Sequence, residues 1–525
     1  MYKVLISDKM SEQASEIFKN RGIDLDVQTG LDESKLISII DQYDGLAIRS
    51  STKVTKKVLS AAKNLKVIGR AGIGVDNIDT SFATQSGVVV MNTPFGNAIT
   101  TAEHSISMMM ALARQIPNAN HSTHQGKWEK SKFMGVELYN KKLGLIGCGN
   151  IGSIVADRAR GLKMHVFAYD PYLSNEHAVE IGVKKVGLTE LLNESDFITL
   201  HTPLNDQTKN IINSNTIKKM KKGVRIINCA RGGLLVEEDV KTYLLNNHIA
   251  GLALDVYESE PAKDNILFGM DSVVCTPHLG ASTIEAQENV ALQIAEQISD
   301  YLLNGTVTNA LNIPSVSAED SPRLKPYMDL AEQLGSFLGQ ITRTSIKNIS
   351  ISYSGQVGEL NTKPLSAIAL KGLLSPLMEN INMVNARIVA KDRNIEISEI
   401  KKDTSAEYNN LISISITTER QVRSVSGTLF ASNMPRLINV NGINLEAEIS
   451  KHMLYVINDD KPGFIGSLGT VLGKESINIG SFHLGRKDKD GNAVALLQLD
   501  QEVNEKVLEQ VRQLPYVHQA KNLIF

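Results

Sequence analysis

Cysteine is scarce in this 525-residue sequence, which holds only Cys148, Cys229 and Cys275. Three are too few for a disulfide framework, and they point to a reducing, cytoplasmic setting. Net charge is nearly absent as well, with 55 Lys and Arg against 57 Asp and Glu. No long-range field therefore favours nucleic acid or an anionic membrane surface. No apolar run approaches the roughly 18 residues that span a bilayer, and residues 1–8 read as a strand and turn rather than a signal peptide. With 38 Gly and 14 Pro, the composition also lies outside the disordered and collagen-like ranges. At roughly 150 residues per domain, a chain of this length holds three or four domains.

What is present is a rhythm. Apolar runs at 4–7, 45–49, 65–69 and 88–92 alternate with helical patterns, and after residue 140 the alternation resumes at 143–147, 165–169, 197–201, 224–228, 250–254 and 273–276. Strands spaced in this way by helices predict βαβ units and two doubly wound parallel sheets, one of four strands and one of six. Two long helices flank the second set. Thr100-Thr101-Ala102-Glu103 fits a capping box for the first, and apolar Val290, Ile294, Ile298 and Leu302 mark the second, over about 282–303. Pro314, Pro322 and Pro326, with Ser315, Ser317 and Ser321, read as a linker. Beyond it come short strands at 349–353, 411–417 and 424–430 around a helical stretch near 365–385, an α+β pattern. From about His452 the order is β-α-β-β-α-β, with a hairpin turn at 489–492, the ferredoxin-like split βαβ unit.

Gly147-Cys148-Gly149-Asn150-Ile151-Gly152 is a G-x-G-x-x-G motif, weak on its own. Here it follows an apolar strand and opens an amphipathic helix, and the next strand ends in Asp170, 18 residues beyond the last glycine. That context is the dinucleotide-binding one. The pyrophosphate would sit on the helix N-terminus. Asp170 would accept from a ribose 2′-hydroxyl and repel a 2′-phosphate, which favours NAD over NADP.

Ligands of open parallel sheets sit outside the carboxyl ends of the strands. In the second set those ends carry Thr202, Cys229-Ala230-Arg231, Asp255 and His278; in the first they carry Arg49, Arg70, Asn92 and, close behind, Asn97. Arginines from one lobe facing an arginine, an acid and a histidine from the other make a cleft for a dinucleotide and a small polyanion. Each residue has a plainer reading: surface ion pairs for Arg49 and Arg70, solvated loop acids for Asp255 and Glu260, a core position for His278. Glu258 reads as solvated, and His104 and His201 as structural.

Residues 228–233, 255–261 and 277–283 resemble the signatures of the D-specific 2-hydroxyacid dehydrogenases. With Gly69-Arg70-Ala71-Gly72-Ile73-Gly74-Val75-Asp76-Asn77 and the ferredoxin-like end, the whole chain is similar to the long-form, ACT-containing D-3-phosphoglycerate dehydrogenases of that family. The resemblance implies a flavodoxin-like substrate lobe (1–98 and 285–310), a Rossmann-type cofactor lobe (99–284), an intervening regulatory domain (311–448) and an ACT domain (449–525). It implies NAD-dependent oxidation of 3-phosphoglycerate, feeding serine synthesis, by Arg231, Glu260 and His278. Arg49, Arg70, Asn97 and Arg231 would hold substrate. Gly147, Gly149, Asn150, Ile151, Gly152, Asp170, Thr202, Cys229, Ala230, Arg231, Asp255, His278 and Ala281 would line the NAD site, and no metal is implied.

A homodimer or homotetramer is expected, with an amino-acid effector at the ACT domain. Serine-inhibited relatives use a His and an Asn in the first ACT loop, where Asn458 and Asp460 stand here; Asn478 matches the family. Phe95 stands where Asn is common and Ile73 where Thr is common. Two rival readings share the residues: a reductase of another short 2-oxo acid such as 2-oxoglutarate, and an NAD-sensing interaction protein.

Overall fold

Runs of four or five apolar residues separated by helices have one economical way to bury themselves, a parallel sheet covered on both faces. The computed structural model, which describes residues 1–314, 321–403, 408–431, 433–487 and 491–525, contains two such sheets. The first is built from β1 (Lys3–Ile6), β2 (Asp24–Val27), β3 (Gly45–Ile48), β4 (Val67–Arg70) and β5 (Val89–Asn92), all parallel, in the order β2-β1-β3-β4-β5. Five strands replace the expected four. The additional one, β2, lies at the edge and alternates acids with apolar residues, so it has no continuous apolar signal; its Asp26 pairs with Lys3 at 2.9 Å.

The second sheet contains β6 (Lys142–Ile146), β7 (His165–Tyr169), β8 (Lys184–Lys185), β9 (Phe197–Leu200), β10 (Val224–Asn228), β11 (Ile249–Leu254) and β12 (Val273–Cys275). Its order is β12-β11-β10-β9-β6-β7-β8, also parallel. The strand missed in the sequence is β8, two exposed lysines on the edge. Both sheets reverse order once, at β1/β3 and at β6/β9, and those switch points are where doubly wound folds open a crevice.

The chain leaves the first sheet after β5, builds the second, and returns. The returning helix, Ile284–Asn304, is capped by Thr283, whose hydroxyl accepts from the Ala286 amide at 3.2 Å. Ile294 and Ile298 are buried against the first sheet, directly over Gly69 of β4, where any side chain would collide with them. The helix Ala98–Arg114 belongs instead to the second sheet, where Met108, Met109 and Leu112 join its core. It does not begin with a capping box. Asn97 is its N-cap, Thr100 and Thr101 are already helical, and the Thr101 hydroxyl donates to the carbonyls of Gly280 (2.9 Å) and Asn97 (3.0 Å).

Pro322 and Pro326 are not linker residues: they stand in the first turns of the helix Ser321–Ile341. Pro322 stands where the amide has no intrahelical partner, whereas Pro326 lies inside the helix and removes one bond of its ladder. Ser315 and Ser317 lie outside the described residues. The helical stretch expected near 365–385 is a helix at Thr362–Leu374 and another at Ala386–Asp392; Pro376, which has no amide to continue the ladder, follows the C-cap Ser375 and ends the first.

Two more sheets complete the chain. One is mixed, β14-β13-β15-β16-β17-β18, from β13 (Ile346–Gly355), β14 (Glu396–Lys402), β15 (Asn410–Thr418), β16 (Val422–Phe430), β17 (Met434–Val440) and β18 (Ile443–Ala447). The other is antiparallel and ferredoxin-like, β20-β21-β19-β22, from β19 (His452–Asp459), β20 (Ile479–Arg486), β21 (Asn492–Leu499) and β22 (Val517–Ile524). In the expected turn at 489–492, Lys489 and Asp490 lie outside the described residues. The two sheets share one hydrophobic core through the helix Ser321–Ile341, where Phe337 meets Tyr455 edge-on at 5.5 Å. Arg423 and Lys521 donate to the carbonyls of Ile341 and Gln340, placing cations at that helix's negative end. Among the described residues no helix is long and apolar enough to cross a membrane.

That helix packs on Thr362–Leu374 without room for a methyl group. A Cβ at Gly335 would lie 2.2 Å from the Ala369 carbonyl oxygen, one at Gly339 2.3 Å from that of Leu373, and one at Gly372 2.3 Å from that of Glu332. Gly339→Ala should therefore destabilise. Its helix-propensity gain of at most about 1 kcal/mol is set against an overpacking cost of about 1–3 kcal/mol, because the obstructing atoms are backbone. Calorimetry should show a lower unfolding midpoint; an unchanged or higher one would show that the two helices are free to separate.

Candidate active site

The cofactor end of the second sheet is shaped by three glycines with different tasks. Gly147, with φ of 95°, takes a left-handed turn, and a Cβ there would stand 2.5 Å from the His201 carbonyl oxygen. Gly152 packs on Gly147, where a Cβ would come 2.3 Å from its carbonyl oxygen; Gly149 faces open space at the N-terminus of the helix Asn150–Gly161. A phosphate can reach that helix end over Gly149 alone of the three. Asp170 closes the far side, accepting from the Cys148 amide and the Tyr172 amide at 2.8 Å each. Those bonds fix the carboxylate and leave lone pairs for ribose hydroxyls.

Thr202 follows β9, and its hydroxyl is buried without a partner. After β10 the wholly buried Asn228 shapes the next loop: its side chain accepts from the Ala230 amide (3.1 Å) and donates to the Arg231 carbonyl (2.9 Å). Burial pushes the Cys148 thiol up to about 11 and the Cys229 thiol to about 12, so both stay protonated and unreactive at neutral pH. Open backbone at Gly149, a fixed acid at Asp170 and an orphaned hydroxyl at Thr202 fit a dinucleotide.

Beyond β12 the chain bends sharply, with His278 at φ 55°. His278 Nδ1 lies 2.7 Å from Glu260 Oε2, and Glu260 Oε1 accepts from the Tyr257 amide at 3.0 Å. The hydrogen bond to Glu260 raises the imidazole pKa above its usual value and outweighs burial, which lowers it. Burial pushes Glu260 upward, but bonds from His278 and the Tyr257 amide prevail, and its pKa ends below the usual range. Ala281 follows in the same loop, partly exposed.

Asp255 is wholly buried and turned away from open space. Oδ1 accepts from Thr276 Oγ1 (2.6 Å) and the Leu279 amide (2.7 Å), and Oδ2 from the Gly280 amide (2.9 Å); His104 Nε2 lies 3.2 Å from Oδ1. Burial pushes this carboxyl up, yet the bonds from His104, Thr276 and Leu279 hold it below the ordinary range. Its protein partners surround it, unlike a residue lining a ligand. His104 is likewise tied to the loop that carries His278. His201 stands apart: buried against Thr199, its pKa is pushed down to about 4, so it is neutral.

The first sheet presents arginines from adjacent strand ends. Asp8 accepts from the Arg49 amide (2.6 Å) and the Thr52 amide (3.1 Å), and Asn77 donates to the Arg49 carbonyl (2.7 Å), so this loop is rigidly tied. Arg70 Nε is buried without a partner, as is Asn97 Oδ1. Burial first, then the neighbouring Arg231 guanidinium, bring the Arg70 pKa down to about 10, with Arg49 adding to the repulsion. Arg231 reaches across from the second sheet, its Nε 3.1 Å from Asp76 Oδ2. The sequence assigns no role to Asp76 or Asn228, which lie inside quoted motifs, Asp76 away from any strand end; His104, expected to be structural, pairs with the buried Asp255. Ile73 contributes only its carbonyl, which accepts from Asn92, and Phe95 is exposed.

The three regulatory candidates do not gather in one chain. Asn458 pairs with Ala493 at one end of the last sheet, and Asp460, beside it, holds Arg486 at 2.7 Å. Asn478 donates to Asp500 at the other end, where Ile479 pairs with Leu499. At about 3.3 Å per strand residue that is roughly 20 Å, because β19 and β20 run in the same direction and Asn458 lies near the end of one while Asn478 precedes the start of the other.

Residues 106–280 match the family described as D-isomer specific 2-hydroxyacid dehydrogenase, NAD binding domain, and residues 323–441 match the D-3-phosphoglycerate dehydrogenase intervening domain. The D-3-phosphoglycerate dehydrogenase of Synechocystis is 42% identical over 99% of this chain and 94% of its own. That of Bacillus subtilis is 39% identical over 99% of both. Among solved structures, apo D-lactate dehydrogenase from Escherichia coli aligns with 59% of this chain and 100% of its own at 29% identity and a TM-score of 0.53. A glyoxylate reductase from Paecilomyes thermophila aligns with 59% and 98% at 28% identity and a TM-score of 0.56. NAD is the cofactor of this lobe, and the chain belongs to the D-3-phosphoglycerate dehydrogenase family of NAD-dependent oxidoreductases.

Proposed function

We propose that the chain oxidises D-3-phosphoglycerate to 3-phosphohydroxypyruvate, the committed step of L-serine synthesis, with His278 as general base. The observation that carries this reading is the His278–Glu260 pair, 2.7 Å apart, on a loop beyond the second sheet. NAD supplies the hydride acceptor when bound. His278 takes the C2 hydroxyl proton, and the Glu260 carboxylate stabilises the imidazolium that results. Arg231 holds the substrate carboxylate and polarises the C2 oxygen in the reverse direction. Arg49, Arg70 and Asn97 take the remaining anionic and hydroxyl groups, and the unpartnered Arg70 Nε and Asn97 Oδ1 are the atoms that gain a partner.

Asn150, Ile151, Asp170, Thr202 and the 229–231 loop would hold the cofactor, and Asp255 holds the His278 loop rather than a ligand. Residues 1–98 with 285–310 form the substrate lobe and 99–284 the cofactor lobe, so closure about their hinge excludes water from the hydride path. The ferredoxin-like unit is read as an ACT domain and the assembly as a homo-oligomer.

Substrate identity is tested by NADH consumption with 3-phosphohydroxypyruvate, 2-oxoglutarate or neither. Preference for 2-oxoglutarate would move the substrate to a dicarboxylate, and silence on every 2-oxo acid would leave an NAD-binding protein without turnover. His278→Ala should lower kcat by about 10²–10⁴ with NADH binding intact; unchanged kcat would remove His278 from its role.

Glu260→Gln removes the charge that raises the imidazole pKa, which then falls toward about 6.5. Oxidation needs neutral imidazole, so its rising limb should move to lower pH. Reduction needs imidazolium, so its rate should be lost at lower pH than in the wild type. Profiles that stay in place would sever the pair. Arg70→Ala should lower kcat/KM for 3-phosphohydroxypyruvate by about tenfold or more while leaving glyoxylate within a few-fold; equal losses would contradict a phosphate contact.

A further inference from the structure

Arg231 has three kinds of donor, and the structure spends them differently. Nη1 donates back to the Ala230 carbonyl at 2.7 Å, and Nε donates to Asp76 Oδ2 at 3.1 Å. Nη2 has no hydrogen-bond partner among the described residues and lies over Gly74, where an added Cβ would stand 1.9 Å from it. Asp76 comes from the loop after β4, on the first sheet, and Arg231 from the loop after β10, on the second. The bond therefore crosses the cleft, and it leaves one guanidinium edge unspent.

The same loop carries an electrostatic conflict. Arg231 and Arg49 both repel the Arg70 guanidinium, and the acids that offset them there are Asp76 and Asp8. Both Asp8 oxygen contacts go from Oδ2 to backbone amides, which fixes it in the wall of the first lobe. Asp76 is exposed and touches a guanidinium directly.

We propose that Asp76 is the positioning residue of Arg231. It pins the guanidinium across the cleft with its Nη2 edge free for substrate, and its charge balances the arginines until an anion enters. Gly74 is the space that this placement requires. The proposal rests on the reading of Arg231 as the substrate's carboxylate and carbonyl partner, and it adds that the geometry of that arginine is set by the opposite lobe.

The two effects of the carboxylate have opposite signatures. Without its charge the pocket is more positive and Arg231 is free to follow a bound anion, so ground-state binding tightens. Without its bond the guanidinium is no longer held where the developing charge on the C2 oxygen needs it, so the chemical step slows. A residue that mattered only for folding would weaken both together.

The test compares Asp76→Asn, Asp76→Glu and Gly74→Ala with the wild type in NADH consumption by 3-phosphohydroxypyruvate. Asp76→Asn should lower kcat about 10-fold or more while KM falls or holds. Asp76→Glu should restore most of kcat, and Gly74→Ala, which keeps the charge and displaces Nη2, should lower kcat with KM rising. Hydrogen–deuterium exchange at residues 72–77 and 229–233 gives a readout independent of turnover: faster in Asp76→Asn, near wild type in Asp76→Glu. An Asp76→Asn protein with unchanged kcat, with kcat and KM worsening together, or with wild-type exchange in both loops overturns the proposal. Should the wild type reduce no 2-oxo acid, the functional reading falls and the exchange experiment still decides the latch.

Discussion

A single buried carboxylate holds the reactive loop. Asp255 accepts from the Thr276 hydroxyl and from the Leu279 and Gly280 amides, so the chain on both sides of His278 hangs on one side chain. Each donor stranded by its loss would cost about 1–3 kcal/mol. The fixing has to be firm, since His278 sits at a positive φ that a non-glycine residue adopts only when its surroundings impose it. The imidazole faces Glu260 because the backbone beneath it has been fixed first. Thr101 donates to Gly280 from one side and His104 approaches Asp255 from another, which couples the loop to the helix Ala98–Arg114.

That helix explains how two separately built sheets share a site. Its N-cap, Asn97, comes five residues after the first sheet's last strand ends at Asn92, and the helix buries its apolar face on the second sheet. The helix Ile284–Asn304 makes the reverse journey. Both crossings leave the carboxyl ends of the strands facing the cleft, so Arg70 on one sheet and His278 on the other need no contact in sequence. The same logic recurs in the C-terminal half without a cleft: one helix, Ser321–Ile341, serves the mixed sheet and the ferredoxin-like sheet, and the two become a single core.

Much of this was legible in the residues. Central parallel strands are apolar on both faces, so they announce themselves, whereas β2 and β8 lie at edges, where acids and lysines are at home. The glycine motif and Asp170 could be read because Gly147 and Gly152 answer steric demands that no other residue meets and Gly149 leaves the helix end open. The strand-end rule located Arg49, Arg70, Arg231 and His278, but it reports position and not direction. Asp255 ends its strand as His278 nearly does, yet its side chain turns inward and meets amides rather than the cleft. Direction depends on φ, ψ and the neighbouring loop, which are tertiary facts. Asn458 and Asn478 illustrate the same limit, for their separation follows from strand order and antiparallel register rather than from distance along the chain.

The arginine cluster shows why anion recognition here has to be cooperative. Arg70 is half-buried, its Nε is buried without a partner, and the charge that acts on it most strongly is another guanidinium. Like charges in a partly dry site repel far more than in water, so the empty arrangement is tolerable only with compensating acids at its edge. A singly charged ligand relieves one guanidinium and leaves the others opposed. A ligand with anionic groups at both ends relieves all three at once and satisfies the orphaned donor as well. On the proposed reading, a short, doubly anionic substrate would answer a repulsion that already surrounds Arg70 in the unliganded protein.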